Sequence, residues 1–297
     1  MTRILVPLDG SRLAEQAICC AMALGTELPA ELVLFRAISI PSDLRKALDR
    51  AGLESGMLIE KLETEAGEYL QSVARRLLPD AGLGVCHVVQ RGPAAAAIVD
   101  YARQADIELI VMASHGYSGT QRWIHGCVAE RVLHAASVPV LLVRAQETDS
   151  DDLQPRCCQR ILVPLDGSDV AEQVLTPLAA ITQALGCEMI LFQVSIAFLF
   201  EFSSRAADRM AEAYLKRVAE RLEKQGIEAS TAVRTGPVVE TIVQFAETNQ
   251  VDLIAMCTHG RTGITRWALG SVADRVLRAG NIPTLLVRAR HERNTLA

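Results

Sequence analysis

The hydrophobic positions of this chain fall into short blocks that are apolar at most positions rather than at every second one, separated by longer segments in which apolar residues recur every three or four. Residues 4–8 form the first block and stop at Asp9; residues 31–37, 85–89, 107–112 and 140–143 form four more. Between them, helical spacing predicts helices over residues 11–24, 62–77, 94–104 and 122–136. Ser11 stands where a helix needs an N-cap, and Pro93 just ahead of a first turn. Strands without polar alternation are buried on both faces, so the pattern predicts a parallel sheet with helices on either side. Sheets of this kind hold ligands at the carboxyl ends of their strands, where the strand order reverses. Asp9 ends the first strand at such a place.

The whole order then returns. The stretch RILVPLDGS occupies residues 3–11 and again 160–168, Ala14-Glu15-Gln16 returns as Ala171-Glu172-Gln173, and Leu34-Phe35 as Leu191-Phe192, all at an offset of 157. Further on the offset is 144: Gly92-Pro93 matches Gly236-Pro237, His115-Gly116 matches His259-Gly260, and Pro139 matches Pro283. The first copy therefore carries 13 extra residues, expected around residues 41–60. The longest apolar run, 190–202, is broken by Gln193 and Glu201 and reads as a buried strand leading into a packed loop or helix. Two copies of one domain follow, residues 1–146 and 159–292, joined by a polar, acidic linker at 147–158 that Pro155 interrupts.

Composition narrows the classes of function. With 297 residues, 50% hydrophobic and 22% charged, the chain is of ordinary globular type. A net charge of −5 leaves no basic footprint for a nucleic-acid polymer or an anionic membrane, although a small phosphorylated ligand remains open. The beginning of the chain has neither a signal-peptide pattern nor a run long enough to cross a bilayer, so a cytoplasmic protein without membrane insertion is expected. Eight cysteines occur as two adjacent pairs and four scattered singles, without metal-ligand spacing. They read as small hydrophobes and surface thiols in a reducing compartment.

Candidate chemistry lies after the fourth strand, in ASHGYSGTQRWIHGCVAERVL (113–133) and CTHGRTGITRWALGSVADRVL (257–277). Glycines let backbone amides approach a ligand, and amides at a helix start favour an anion. A loop with Gly260 and Gly263, followed by Gly270 and Ser271, can wrap a di- or triphosphate, with Arg261 adding a charged donor. The same glycines also suit ordinary turns. Neither copy has the P-loop or the dinucleotide fingerprint.

At these residues the chain resembles the universal stress protein family in its tandem two-domain form. The resemblance rests on the strand-ending Asp of VPLDGS in both halves, on the family's pattern G-x2-G-x9-G-[ST], and on the V-A-E-R-V-L type helix behind it. It implies an α/β fold of two tandem Rossmann-like (adenine nucleotide alpha hydrolase-like) domains, each a five-stranded parallel sheet. It also implies ATP as ligand, with ADP and AMP as alternatives and Mg2+ accompanying the phosphates. Carried over by position, Asp166 meets the adenosine part, Val194 the adenine, and Gly260, Gly270 and Ser271 the phosphates, with Arg261, Gly263 and Val272 beside them. The matching positions of the first copy are Asp9, Ala37, Gly116, Gly126 and Cys127.

There are departures. Ala113 and Cys257 stand where the pattern has its first glycine, and Cys127 replaces the final hydroxyl residue. A thiol is a weak donor, and losing one neutral hydrogen bond weakens binding by up to roughly tenfold. The second copy is therefore the better furnished for a nucleotide. In the family's strand order the fifth strand is an edge, so VPVLLV (138–143) and IPTLLV (282–287) expose apolar edges that pairing of the two halves as an intramolecular pseudo-dimer would cover.

Other residues have plainer readings. His115 and His259 lack a nucleophile or second carboxylate at a partner spacing, Trp123 and Trp267 suit packing, and Arg122, Arg131, Arg266 and Arg275 suit an ion-paired helix face. Asp-Gly after a strand is also good turn chemistry. The expected function is an adenine-nucleotide-binding protein of stress response or signalling. Nucleotide would change the surface shown to an unknown protein partner or to a second copy in a homodimer, and no catalytic base is assigned. A nucleotide-independent scaffold is the alternative. An adenylating or pyrophosphatase enzyme would want a Ser-Gly-Gly-type loop, which LDGS is not.

Overall fold

The computed structural model describes residues 2–28, 30–40, 50, 55–77, 83–114, 127–144, 158–195, 201–259 and 269–289. These divide into two compact units, one of residues 1–138 and 145–156 and one of residues 139–144 and 157–297.

In the first unit the elements are β1 (Thr2–Pro7), α1 (Arg12–Glu27), β2 (Ala30–Ile38), α2 (Ser55–Leu77), β3 (Gly84–Arg91), α3 (Ala94–Gln104), β4 (Leu109–Ala113) and α4 (Cys127–Ala135). Its strands run in the order β3-β2-β1-β4, all parallel. The chain thus builds outward from β1 to β3 and then returns to the other side of β1. That reversal opens a crevice at the carboxyl ends of β1 and β4. The apolar runs pack as their composition demands: Ile4, Leu5, Val6, Leu32, Val33, Leu34, Phe35, Ile110 and Val111 are fully buried.

The second unit holds β5 (Val140–Val143), β6 (Arg160–Pro164), α5 (Asp169–Glu172), α6 (Leu175–Leu185), β7 (Glu188–Ser195), α7 (Glu201–Glu223), β8 (Ala229–Thr235), α8 (Val238–Thr248), β9 (Leu253–Cys257), α9 (Ser271–Ala279) and β10 (Thr284–Val287). Strands β6 to β10 repeat the parallel order of the first copy, with β10 beside β9. Strand β5, fifth in the first copy's sequence, is grouped here and pairs antiparallel with β10, Leu141 opposite Leu285. Arg144 secures it by donating to the Gly280 carbonyl at 2.7 Å. The apolar edge of β10 is thus covered by another strand, as edge strands require.

Element boundaries lie within a few residues of the periodicity, with one longer discrepancy: α2 starts at Ser55 rather than near residue 62. Its early turns expose Met57, 72% accessible, so the apolar stripe that marks a helix begins only later. The part of the expected 122–136 helix before Cys127 lies outside the described residues.

One polar interaction recurs where neither strand nor helix periodicity points to it. Glu15, buried in the first turns of α1, accepts from the Tyr69 hydroxyl at 2.9 Å and from the Arg76 guanidinium, both on α2. In the second unit Glu172 accepts from Tyr214 and Arg221 in the same way. Tyr69 and Tyr214, like Arg76 and Arg221, stand 145 positions apart, so 12 of the 13 extra residues precede Tyr69. Burial, with the carboxylate beside it, pushes both phenols well above their ordinary value. Removing the carboxylate strands a half-buried hydroxyl and a guanidinium. Glu15→Ala should therefore lower the unfolding free energy by about 2 kcal/mol in urea titrations, and Glu172→Ala, at a more open site, by less.

Candidate functional site

Strand β1 ends in Leu8-Asp9-Gly10-Ser11, and each residue has a mechanical task. Asp9 Oδ1 accepts from the Ser11 amide at 2.9 Å and from its hydroxyl at 2.6 Å. Ser11 Oγ in turn accepts from the Ala14 amide at 3.1 Å, capping α1. Gly10 sits at φ +92°, where a side chain is strained. Asp166, Gly167 and Ser168 repeat the arrangement at 3.0, 2.6 and 3.2 Å, with Gly167 at φ +84°. The serine is the cap; the aspartate holds the serine.

In the first unit this turn borders a cavity of about 420 Å³, within the ~300–1,000 Å³ range of small-molecule sites. Asp9, Ala37, Ala113, Ser114 and Cys127 line it, and so does Arg36. The ends of β1, β2 and β4 and the start of α4 therefore converge where the strand order reverses. Much of the wall is apolar, including Leu8, Phe35, Ile98 and Met112. Arg36 stacks over the Tyr69 ring at 4.8 Å, and its guanidinium would lie 3.2 Å from a Cβ placed on Gly10. Neither periodicity nor a motif marks Arg36, whose counterpart at the offset of 157 is neutral: Gln193, with a buried Oε1 that has no hydrogen-bond partner among the described residues.

In the second unit Asp166 lies at the end of β6, close enough to Cys257 for its charge to act on the thiol. Burial above all, with Asp166 adding to it, pushes Cys257 up to about 12. Val194 is the penultimate residue of β7 and is half-buried. Gly270 and Ser271 start α9, Ser271 exposed and Val272 half-buried, with no side chain capping the helix. Gly270 has a packing reason to be glycine: its amide donates to the Thr258 carbonyl at 2.7 Å, and a Cβ would stand 2.6 Å from that oxygen.

Beside Val194, Ser195 donates to Asp208, which Thr235 also approaches at 3.3 Å. The positions matching Asp208 and Thr235 in the first copy are Glu63 and Arg91, an ion pair at 2.5 and 2.9 Å. Arg275 is ion-paired with Glu240 at 3.0 Å, as a helix-face arginine should be. Gly116, Gly126, Gly260, Arg261, Gly263, His115, Trp123, Trp267, Arg122 and Arg266 lie outside the described residues. Among the described residues no cluster of three metal-ligating side chains occurs, the cysteines form no disulfide, and no helix is long and apolar enough to cross a membrane.

Two measurements check this geometry. Gly270→Ala should destabilise the nucleotide-free protein by about 1–3 kcal/mol in thermal unfolding, because the new methyl meets a backbone oxygen. An unfolded thiol ionises near 8.5 whereas Cys257 ionises near 12, so its contribution to stability is complete below pH ~8.5 and falls as the pH rises between the two values. Replacing it in Cys257→Ala should flatten the alkaline loss of stability between pH 8.5 and 10.5.

Comparison with known proteins matches this architecture. The sequence model described as the universal stress protein family matches residues 1–144 and again 158–288. A universal stress protein of Synechocystis is 24% identical over 307 residues, spanning 97% of this chain and all of the relative. A universal stress protein of Methanocaldococcus jannaschii is 32% identical over 139 residues, 44% of this chain and 82% of the relative. The crystal structure of a universal stress protein from Archaeoglobus fulgidus superposes with a TM-score of 0.73 at 22% identity, over 96% of this chain and 98% of the other, and so shares the fold. The chain belongs to the universal stress protein family, with the family's domain present twice.

Proposed function

We propose that the protein binds an adenine nucleotide, ATP in the first instance, and acts in stress response or signalling by presenting different surfaces in its bound and empty states. The observation that carries this reading is the 420 Å³ cavity of the first unit, lined by Asp9, Ala37 and Cys127. These are the residues that the family resemblance assigns to the adenosine and phosphate ends. The apolar wall suits a base, the Asp9 carboxylate suits ribose hydroxyls, and the start of α4 suits an anion. The second copy supplies Asp166 and Ser271 at the matching places, with a hydroxyl where the first has a thiol.

One observation favours the alternative of a nucleotide-independent scaffold. The Asp-Gly-Ser turns and Gly270 all have structural tasks of their own. Calorimetric titration with ATP and Mg2+ separates the two readings. Asp9→Asn keeps an oxygen for Ser11 but loses the charge, and should weaken the first site at least tenfold; Asp166→Asn does the same for the second. Cys127→Ser should tighten the first site by up to roughly tenfold. Absence of binding by nucleotide-free wild-type protein would leave the scaffold.

A further inference from the structure

Arg36 lines the first cavity but has no task in the nucleotide reading. Among the described residues lining that cavity, only Asp9 and Arg36 are charged. Two neighbours restrain the guanidinium. Its Cζ lies 4.8 Å from the centre of the Tyr69 ring, and the Tyr69 hydroxyl is itself fixed on Glu15 at 2.9 Å. Its two terminal nitrogens would each stand 3.2 Å from a Cβ on Gly10, so the fork packs against the bare backbone of the Asp9 turn. Arg36 directly precedes Ala37, the position that matches Val194 and is thereby assigned to the base.

We propose that this position sets the choice of purine: Arg36 makes the first site favour guanine nucleotides, while Gln193 leaves the second to adenine. The proposal rests on the reading of both crevices as nucleotide sites and adds the base that each one takes. Guanine presents two acceptors side by side, O6 and N7, which match two N–H groups of a guanidinium. Adenine presents N7 beside the N6 amine, whose hydrogens would face those of the guanidinium. A primary amide meets adenine instead, its oxygen accepting from N6 and its nitrogen donating to N7. Gln193, the counterpart of Arg36 and the residue before Val194, has such an oxygen to offer. Its Oε1 is buried without a hydrogen-bond partner among the described residues, a costly state that a base amine would relieve. An extra phosphate is a poorer match for Arg36, because the carboxylate of Asp9, next in the chain to Gly10, would repel it. Held by Tyr69 and Gly10, the fork gives up little side-chain freedom when a base binds.

Isothermal titration of the nucleotide-free full chain with the Mg2+ complexes of ATP and GTP tests this. In Asp166→Asn, where the first site dominates, GTP should bind about 5- to 150-fold more tightly than ATP. In Asp9→Asn, where the second dominates, ATP should bind the more tightly. Arg36→Gln added to Asp166→Asn should abolish the preference for GTP without weakening ATP. Gln193→Arg added to Asp9→Asn should create that preference, which keeps the test decisive should loss of Arg36 from the Tyr69 ring unfold the first unit. ATP bound more tightly than GTP in both single variants overturns the proposal and leaves the nucleotide reading standing. Equal weakening of both nucleotides by Arg36→Gln does the same, since it puts the guanidinium on the phosphates. Failure of the wild type to bind either nucleotide overturns the nucleotide reading itself, and the proposal with it.

Discussion

The Asp9 oxygen that holds the Ser11 hydroxyl at 2.6 Å also decides where α1 begins, because that hydroxyl accepts from the Ala14 amide. The carboxylate is thereby pinned at the end of the central strand, and the helix is pinned to the carboxylate. Gly10 makes the turn affordable in backbone terms, and Arg36 lies over it. A few residues later Glu15 ties the same helix to α2 through Tyr69 and Arg76. The cavity mouth is therefore bordered by parts whose positions are mutually determined, which is the preorganisation a ligand site needs. The second copy repeats the hydrogen bonds of this chain, from Asp166 to Arg221.

Most of this frame was legible in the chain because buried parallel strands leave a crude signature, a mostly apolar run without strict alternation, and because the signature occurs twice. Asp9, Ala37 and Cys127 come from different elements, yet the family pattern names all three and the cavity gathers them. The Glu15 interaction has only a faint signal: Tyr and Arg seven apart recur at 69 and 76 and at 214 and 221. The signal was hidden because it runs at an offset of 145, between the two offsets that the more obvious matches define. The closeness of Gly270 to the Thr258 carbonyl has no such signal. It arises where the start of α9 meets the chain just beyond β9, which periodicity alone does not carry.

Where the two copies agree and where they diverge follows a physical gradient. Glu15 and Glu172 have side chains only 5% and 17% exposed, and a carboxylate withdrawn from water to that degree is costly without its donors. Both copies keep the complete Tyr and Arg complement. The Arg91–Glu63 pair, with side chains 62% and 33% exposed, sits in solvent that screens it, so it contributes little. Its replacement by Thr235, Asp208 and Ser195 therefore costs the fold little. Arg36 and Gln193 likewise stand at matching positions outside the core. These positions lie near the carboxyl ends of the strands, so the two copies share a scaffold whose strand ends differ in chemistry. An arginine and a thiol border the first, and a glutamine, a hydroxyl cluster and a serine occupy the matching places in the second.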